Sequence, residues 1–208
     1  MLVSLKQRTF ALALLASAVV TPAAAVDFPP GIAFLYESVS IYPPNGNSMT
    51  ICYGFVCRRR LEFEFTAADR KALDAIMAKG KASAAAERAA VQEAVVWWDR
   101  RLGPILKTTT RIARADFRHN ADATNYDCWD TTRNITSLLL LLQSWGYLRH
   151  HTVSEPKYRG NWLVWQTPHN TPVIKDRAGG GDFVVDMWTV GYAEKPQVMT
   201  VAQWMTED

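Results

Sequence analysis

At 208 residues and a formal charge of +3, the chain is long enough for one domain with its own core and too short for two comfortable ones. That charge gives no basic field for gripping a phosphate backbone, so nucleic acid is excluded as a partner class. Eight tryptophans are accounted for by core packing.

Residues 1–25 follow the three-part pattern of a cleavable secretory signal: Lys6 and Arg8, the apolar run Phe10 to Ala16, then Ala23-Ala24-Ala25. The apolar run is well short of the roughly 20 residues that cross a bilayer. Pro22 also interrupts its end, so cleavage after Ala25 is expected in place of a membrane anchor. Cleavage removes two cations, which leaves 183 residues at a formal charge of +1 and implies a periplasmic or secreted protein with no remaining span.

In an oxidising compartment, three cysteines leave one unpaired after any single disulfide. Cys52 and Cys57 sit five apart in a segment that can reverse at Gly54, so a bridge between them is the expected pairing. Cys128 is then the odd thiol. Composition alone allows either burial as a small apolar residue or a chemical use.

Residues 26–50, with Pro29-Pro30, Pro43-Pro44 and Asn45-Gly46, read as an extended arm with a turn. Residues 51–65 read as strands, with the period-2 alternation of Leu61 to Phe65. Thr66 and Asp69 form a capping-box pattern that opens a helix over about 67–78. The alanine-rich stretch Ser83 to Arg101 predicts the longest helix, ending near Gly103-Pro104. Residues 104–127 have no sustained period and read as a long connection with one short helix.

Ile135, Leu138, Leu139 and Leu142 recur at helical spacing between Trp129 and Trp145, which predicts a helix buried along one broad face and stopped by Gly146. Beyond it, Tyr147 to Val153, Asn161 to Gln166, Thr171 to Ile174 and Phe183 to Trp188 read as strands of an antiparallel sheet packed on that helix, with a hairpin turn at Gly179-Gly180-Gly181. That glycine run lacks a following Lys-Ser/Thr, so it is no phosphate loop. The cysteines lack zinc-finger spacing and no His-x-x-x-His occurs, so no metal or other cofactor is expected.

Cys128 falls immediately before the Leu-rich helix, where unpaired N–H groups and the positive end of the helix dipole lower a thiol's pKa and can hold an oxyanion. Of the four histidines, His169 opens a strand whose partner, returning through the glycine turn, should bring Asp186 opposite it. A carboxylate there would fix the imidazole tautomer and leave the other ring nitrogen for the sulfur. His151, on the first strand after the helix, is the rival base, and a sheet residue with satisfied hydrogen bonds is its structural alternative. Asn125 and Tyr126 are candidates to complete an oxyanion hole, with plain loop structure as the alternative. Arg58-Arg59-Arg60 reads as a solvated strand edge.

The ordered set over residues 125–188 (a Cys opening a Leu-rich helix, a His opening a strand, a Gly turn, then Val-Val-Asp-x-Trp) resembles the transglutaminase-like cysteine proteinases of bacteria. The resemblance implies an α+β, papain-like fold in which a Cys-bearing central helix packs on an antiparallel sheet. It places a triad on Cys128, His169 and Asp186. Trp129 stands where many relatives have Asp, which bears on how a peptide is held. The expected function is a periplasmic cysteine peptidase or amidase working through a thioester on protein or peptide substrates of the cell envelope. The alternatives are a peptidoglycan endopeptidase or amidase, and a non-catalytic peptide-binding envelope module. Residues 26–124 match nothing in the resemblance and form an unassigned extension of a single domain spanning 26–208.

Overall fold

The computed structural model describes residues 28–161, 163 and 167–207. The signal segment therefore lies outside the described residues, as does most of the strand expected over 161–166. The described part is α+β, with five α-helices and two antiparallel sheets. No described helix is long and apolar enough to cross a membrane.

The stretch read as an extended arm holds a helix, α1 (Pro30–Glu37). Pro30 occupies the first helical turn, where its fixed φ suits the helix and its missing N–H costs nothing, so the proline pair starts an element it was expected to prevent. Ile32, Leu35 and Tyr36 bury one face of α1 against Leu140. Strands β1 (Ser48–Tyr53) and β2 (Arg59–Glu64) then form a hairpin in which Phe63 is buried between exposed Glu62 and Glu64.

Helix α2 (Ala67–Met77) opens with the expected capping box. Thr66 Oγ1 accepts from Asp69 N at 3.1 Å, and Asp69 Oδ2 accepts from Thr66 N at 3.0 Å. Helix α3 (Ala84–Leu106) runs through Gly103-Pro104 instead of stopping there. Pro104 lies in the last turn, so it removes one hydrogen bond at a fraying end while Leu102 and Leu106 remain buried. Gly103 is required by packing, since a Cβ there would collide with the Tyr192 ring.

Helix α4 (Cys128–Ser144) is the centre of the molecule. It was expected to bury one broad face, yet every residue from Asp130 to Leu142 is buried. Its polar face anchors neighbours in place of meeting water. Asn134 accepts from Cys52 N and donates to Cys52 O, both at 2.8 Å, Ser137 Oγ bonds Tyr36 Oη at 3.0 Å, and Arg133 Nε donates to Leu35 O at 2.7 Å. Gly146, at φ +75°, ends the helix region as expected.

The second sheet runs β3 (His151–Arg159), β4 (His169–Asp176), β5 (Asp182–Asp186), β6 (Gln197–Thr200), in that spatial order. Pro156 is tolerated because β3 is an edge strand and carries an irregularity between Ser154 and Lys157. Strand β6 and the short helix α5 (Val201–Trp204) follow a stretch without periodicity and were not anticipated. One core joins the halves of the chain: Ile51, Val91 and Trp98 share it with Ile135, Leu138, Ile174 and Val185.

Candidate active site

Cys128 is the first residue of α4 and the free cysteine, partly exposed; Cys52 and Cys57 are bridged to each other. Asp127 caps the helix, its carboxylate accepting from Asp130 N at 2.7 Å, from Val56 N at 2.7 Å and from the Trp129 N–H. These bonds correct one expectation. The amides of residues 129 and 130 are spent on the cap, which leaves the Cys128 N–H as the helix-end donor beside the sulfur.

The disulfide closes a loop of unusual backbone. Phe55, Val56 and Cys57, none of them glycine, all have positive φ (69°, 52° and 55°), a conformation that costs each of them energy. Asp130 holds the loop by accepting from Phe55 N at 2.8 Å and Cys57 N at 2.7 Å, while Asp127 takes Val56 N. The helix that presents Cys128 thus clamps the loop beside it. Replacing both Cys52 and Cys57 with alanine is expected to lower stability by about 2 kcal/mol through the freed chain entropy alone, as read by urea unfolding.

His169 and Asp186 come together as expected, with Nε2 of the imidazole 2.6 Å from Asp186 Oδ2 and both side chains buried. The contact is not directly cross-strand. The ladder between β4 and β5 stops at Val173 opposite Val184, and Asp186 pairs with Gln197 of β6, so His169 reaches along the sheet to meet it. The carboxylate places the ring proton on Nε2 and leaves Nδ1 as the acceptor, and Nδ1 is buried without a hydrogen-bond partner.

Asn170, the next residue, holds Cys128 in two ways. Its backbone N–H reaches the sulfur. Its amide nitrogen donates to Cys128 O and Thr132 Oγ1, both at 2.7 Å, while its oxygen accepts from Trp129 Nε1 at 3.3 Å. Asn170 and Trp204 were not singled out from sequence. Trp188 lies against His169 at 4.4 Å between ring centroids, and Trp204 lies at 5.4 Å on α5. Trp204 Nε1 donates to Asp186 Oδ2 at 2.9 Å, and Trp188 N donates to Oδ1 at 3.2 Å. The Trp188 signal was present in Val-Val-Asp-x-Trp. Trp204→Phe keeps an aromatic ring but removes a donor from a buried carboxylate, so thermal unfolding should register a loss of about 1.5–3 kcal/mol from the lost bond, to which the smaller ring adds.

Four other candidates take other roles. The Asn125 side chain is engaged in loop structure, accepting from Ile112 N and donating to Asp122 Oδ2, both at 2.9 Å. Tyr126 is buried in the core with its hydroxyl 3.1 Å from Thr108 Oγ1. Trp129 packs edge-on against Phe34 and under the Arg133 guanidinium. His151 is a satisfied sheet residue: Glu87 of α3 takes its Nδ1 and its backbone N–H, both at 2.9 Å. Of the arginine run, Arg59 and Arg60 are exposed at the strand edge, whereas Arg58 borders the Cys128 cleft.

The electrostatics overturn a second expectation. Burial pushes the Cys128 thiol up to about 12, and the charges of Asp127 and Asp186 add to the rise, against the Asn170 and Cys128 N–H groups. Helix-end position alone predicted the opposite direction. Burial likewise raises Asp130 to about 7, helped by the charge of Asp127 and opposed by the N–H groups of Cys57 and Phe55. Among the described residues, no group of three or more His, Cys, Asp or Glu could hold a metal ion. No protein-family model, curated protein or solved structure matches the chain, so the transglutaminase-like resemblance rests on the ordered residues between 125 and 188.

Proposed function

We propose that the protein is a cysteine hydrolase, a peptidase or amidase, in which Cys128 is the nucleophile, His169 the base and Asp186 the group that orients His169. One observation carries this reading: an imidazole fixed through Nε2 by a buried carboxylate, its Nδ1 left unpartnered, one residue before the N–H that touches the sulfur.

Because the isolated thiol is raised, the proton leaves sulfur only as it passes to His169 Nδ1 while Sγ attacks the amide carbonyl carbon. The Cys128 N–H is the donor available for the oxygen that gains charge. Collapse breaks the C–N bond, His169 returns the proton to the departing amine, and a thioester remains on Cys128. Water then attacks the thioester, giving a proton to His169 and releasing the carboxylic acid. The thiol recovers that proton. Turnover of p-nitrophenyl acetate by the wild type and its absence in Cys128→Ala supports this reading; equal release by both proteins removes it.

The raised thiol has its own signature. A group whose pKa lies above the ordinary thiol value keeps its proton across neutral pH, so iodoacetamide should alkylate the folded protein more slowly at pH 8 than the urea-unfolded chain. The folded rate should still be rising at pH 10, followed by intact mass. A plateau below pH 8 would mean a preformed thiolate.

The same raised thiol favours a second reading, a peptide-binding envelope module on this fold, for which a peptide would be recovered intact after long incubation. Incubation with muropeptides separates a peptidoglycan endopeptidase from a protein-directed enzyme.

A further inference from the structure

The cleft at Cys128 has a volume of about 440 Å³, a size that accepts a large side chain. Its apolar walls are Phe55, Val56, Ala115, Phe117, Pro168 and Trp188. Val56 and Phe117 stand 61% and 68% exposed, so among the described residues the rim presents apolar surface to solvent.

The charged groups that border the cleft are already satisfied from within the chain. Arg58 turns back onto its own loop, Nε donating to Gly54 O at 2.9 Å, and its terminal nitrogen donates to Asn120 O. Asp116 is held by Arg118, at 2.9 and 3.0 Å through Nε, with His119 Nδ1 at 3.3 Å. Asp127 is taken by the helix cap and by Val56 N. To pair with any of these groups, a charged substrate side chain would have to displace a bond that the described residues already make, whereas an apolar one gains contact and sheds water.

The backbone supports the same assignment. Three successive left-handed residues are held by a disulfide and two carboxylates, and what this costly arrangement presents at the cleft is Phe55 and Val56. The facing wall is pinned as well, since Trp188 Nε1 donates to Ala115 O at 3.0 Å and Arg114 N donates to Trp188 O at 2.7 Å.

We infer that this cleft is a specificity subsite for a large apolar side chain, aliphatic or aromatic, borne by a peptide next to the amide that Cys128 attacks. Its walls come largely from the disulfide loop and the 107–127 connection, which gives a task to chain segments that the sequence left unassigned. The inference rests on the hydrolase reading, and the experiment separates the two. The p-nitrophenyl esters of N-acetylated Phe, Leu, Gly, Asp and Lys are compared with p-nitrophenyl acetate as the reference without a side chain. The Phe and Leu esters should exceed the Asp and Lys esters in kcat/KM by about tenfold or more, after correction for their spontaneous hydrolysis. Phe117→Ser should cut that ratio by roughly threefold, and Val56→Asp, also at an exposed position, should reverse part of it. Hydrolysis of the acetate with no preference among the five side chains, or with preference for a charged one, overturns the subsite and leaves the hydrolase standing. Failure to hydrolyse the acetate overturns the hydrolase reading and the subsite with it.

Discussion

His169→Ala is expected to lower kcat/KM for p-nitrophenyl esters by about 10²–10⁴-fold, the range that a positioned general base contributes. The loss should be larger here than for a site with a preformed thiolate, because the Cys128 proton is held by burial and by the fields of Asp127 and Asp186. Removing the imidazole takes a donor from the buried Asp186 carboxylate, at a cost of at least about 1.5–3 kcal/mol, but Trp204 Nε1 and Trp188 N remain as its partners, so the fold should survive. A cooperative melt that stays well above the assay temperature would show that the loss is chemical. Rates within threefold of the wild type would mean that His169 takes no proton.

The largest structural effect is expected at Arg111. Its guanidinium donates to Asp99 Oδ2 at 2.8 Å, to Val190 O at 2.8 Å and to Gly191 O at 2.9 Å, with both members of the ion pair buried. Asp99 also accepts from Ala193 N at 2.7 Å, so this pair ties α3, the 107–127 connection and the segment after β5 together. Arg111→Met keeps most of the stem but leaves the Asp99 carboxylate buried beside an apolar chain. Breaking such a pair costs about 3–5 kcal/mol, which corresponds to a fall in melting temperature of roughly 6–20 °C. Calorimetry at neutral pH reads it directly. A shift under about 2 °C would mean that water replaces the guanidinium without penalty.

Much of what places the candidate site was legible because it depends on local rules. The Thr66 to Asp69 capping box, the start of α4 at Cys128, its stop at Gly146, and the glycine turn that returns Asp186 toward His169 follow from residue type and spacing. The disulfide between Cys52 and Cys57 followed from their separation and the turn at Gly54. Misreadings arose where tertiary context decided. The prolines at 29, 30 and 104 were taken as breakers, yet Pro30 starts a helix and Pro104 sits in the last turn of another. Strand β6 and helix α5 are short and without period, and with them Trp204 escaped notice.

The chemistry of the site followed the same division. Helix-end position lowers a thiol's pKa when other things are equal, but Cys128 is covered by its neighbours and faces two carboxylates, one of them 58 residues away in sequence. No local pattern contains that information. Asn125 was a reasonable oxyanion donor by proximity to Cys128, but Ile112 and Asp122 engage its amide in loop structure, which no local pattern announces. The all-round burial of α4 was hidden for a related reason, since its polar residues look solvent-facing until Cys52, Tyr36 and Leu35 are seen to bond them.

The most direct measurement is acid quenching of the protein during turnover of N-acetyl-phenylalanine p-nitrophenyl ester, followed by peptide mapping by mass spectrometry. The expected result is an N-acetyl-phenylalanyl adduct on Cys128, labile to hydroxylamine as a thioester is, and far less of it in His169→Ala at the same time point. Ester turnover with no adduct on Cys128, or equal adduct with and without His169, would contradict it.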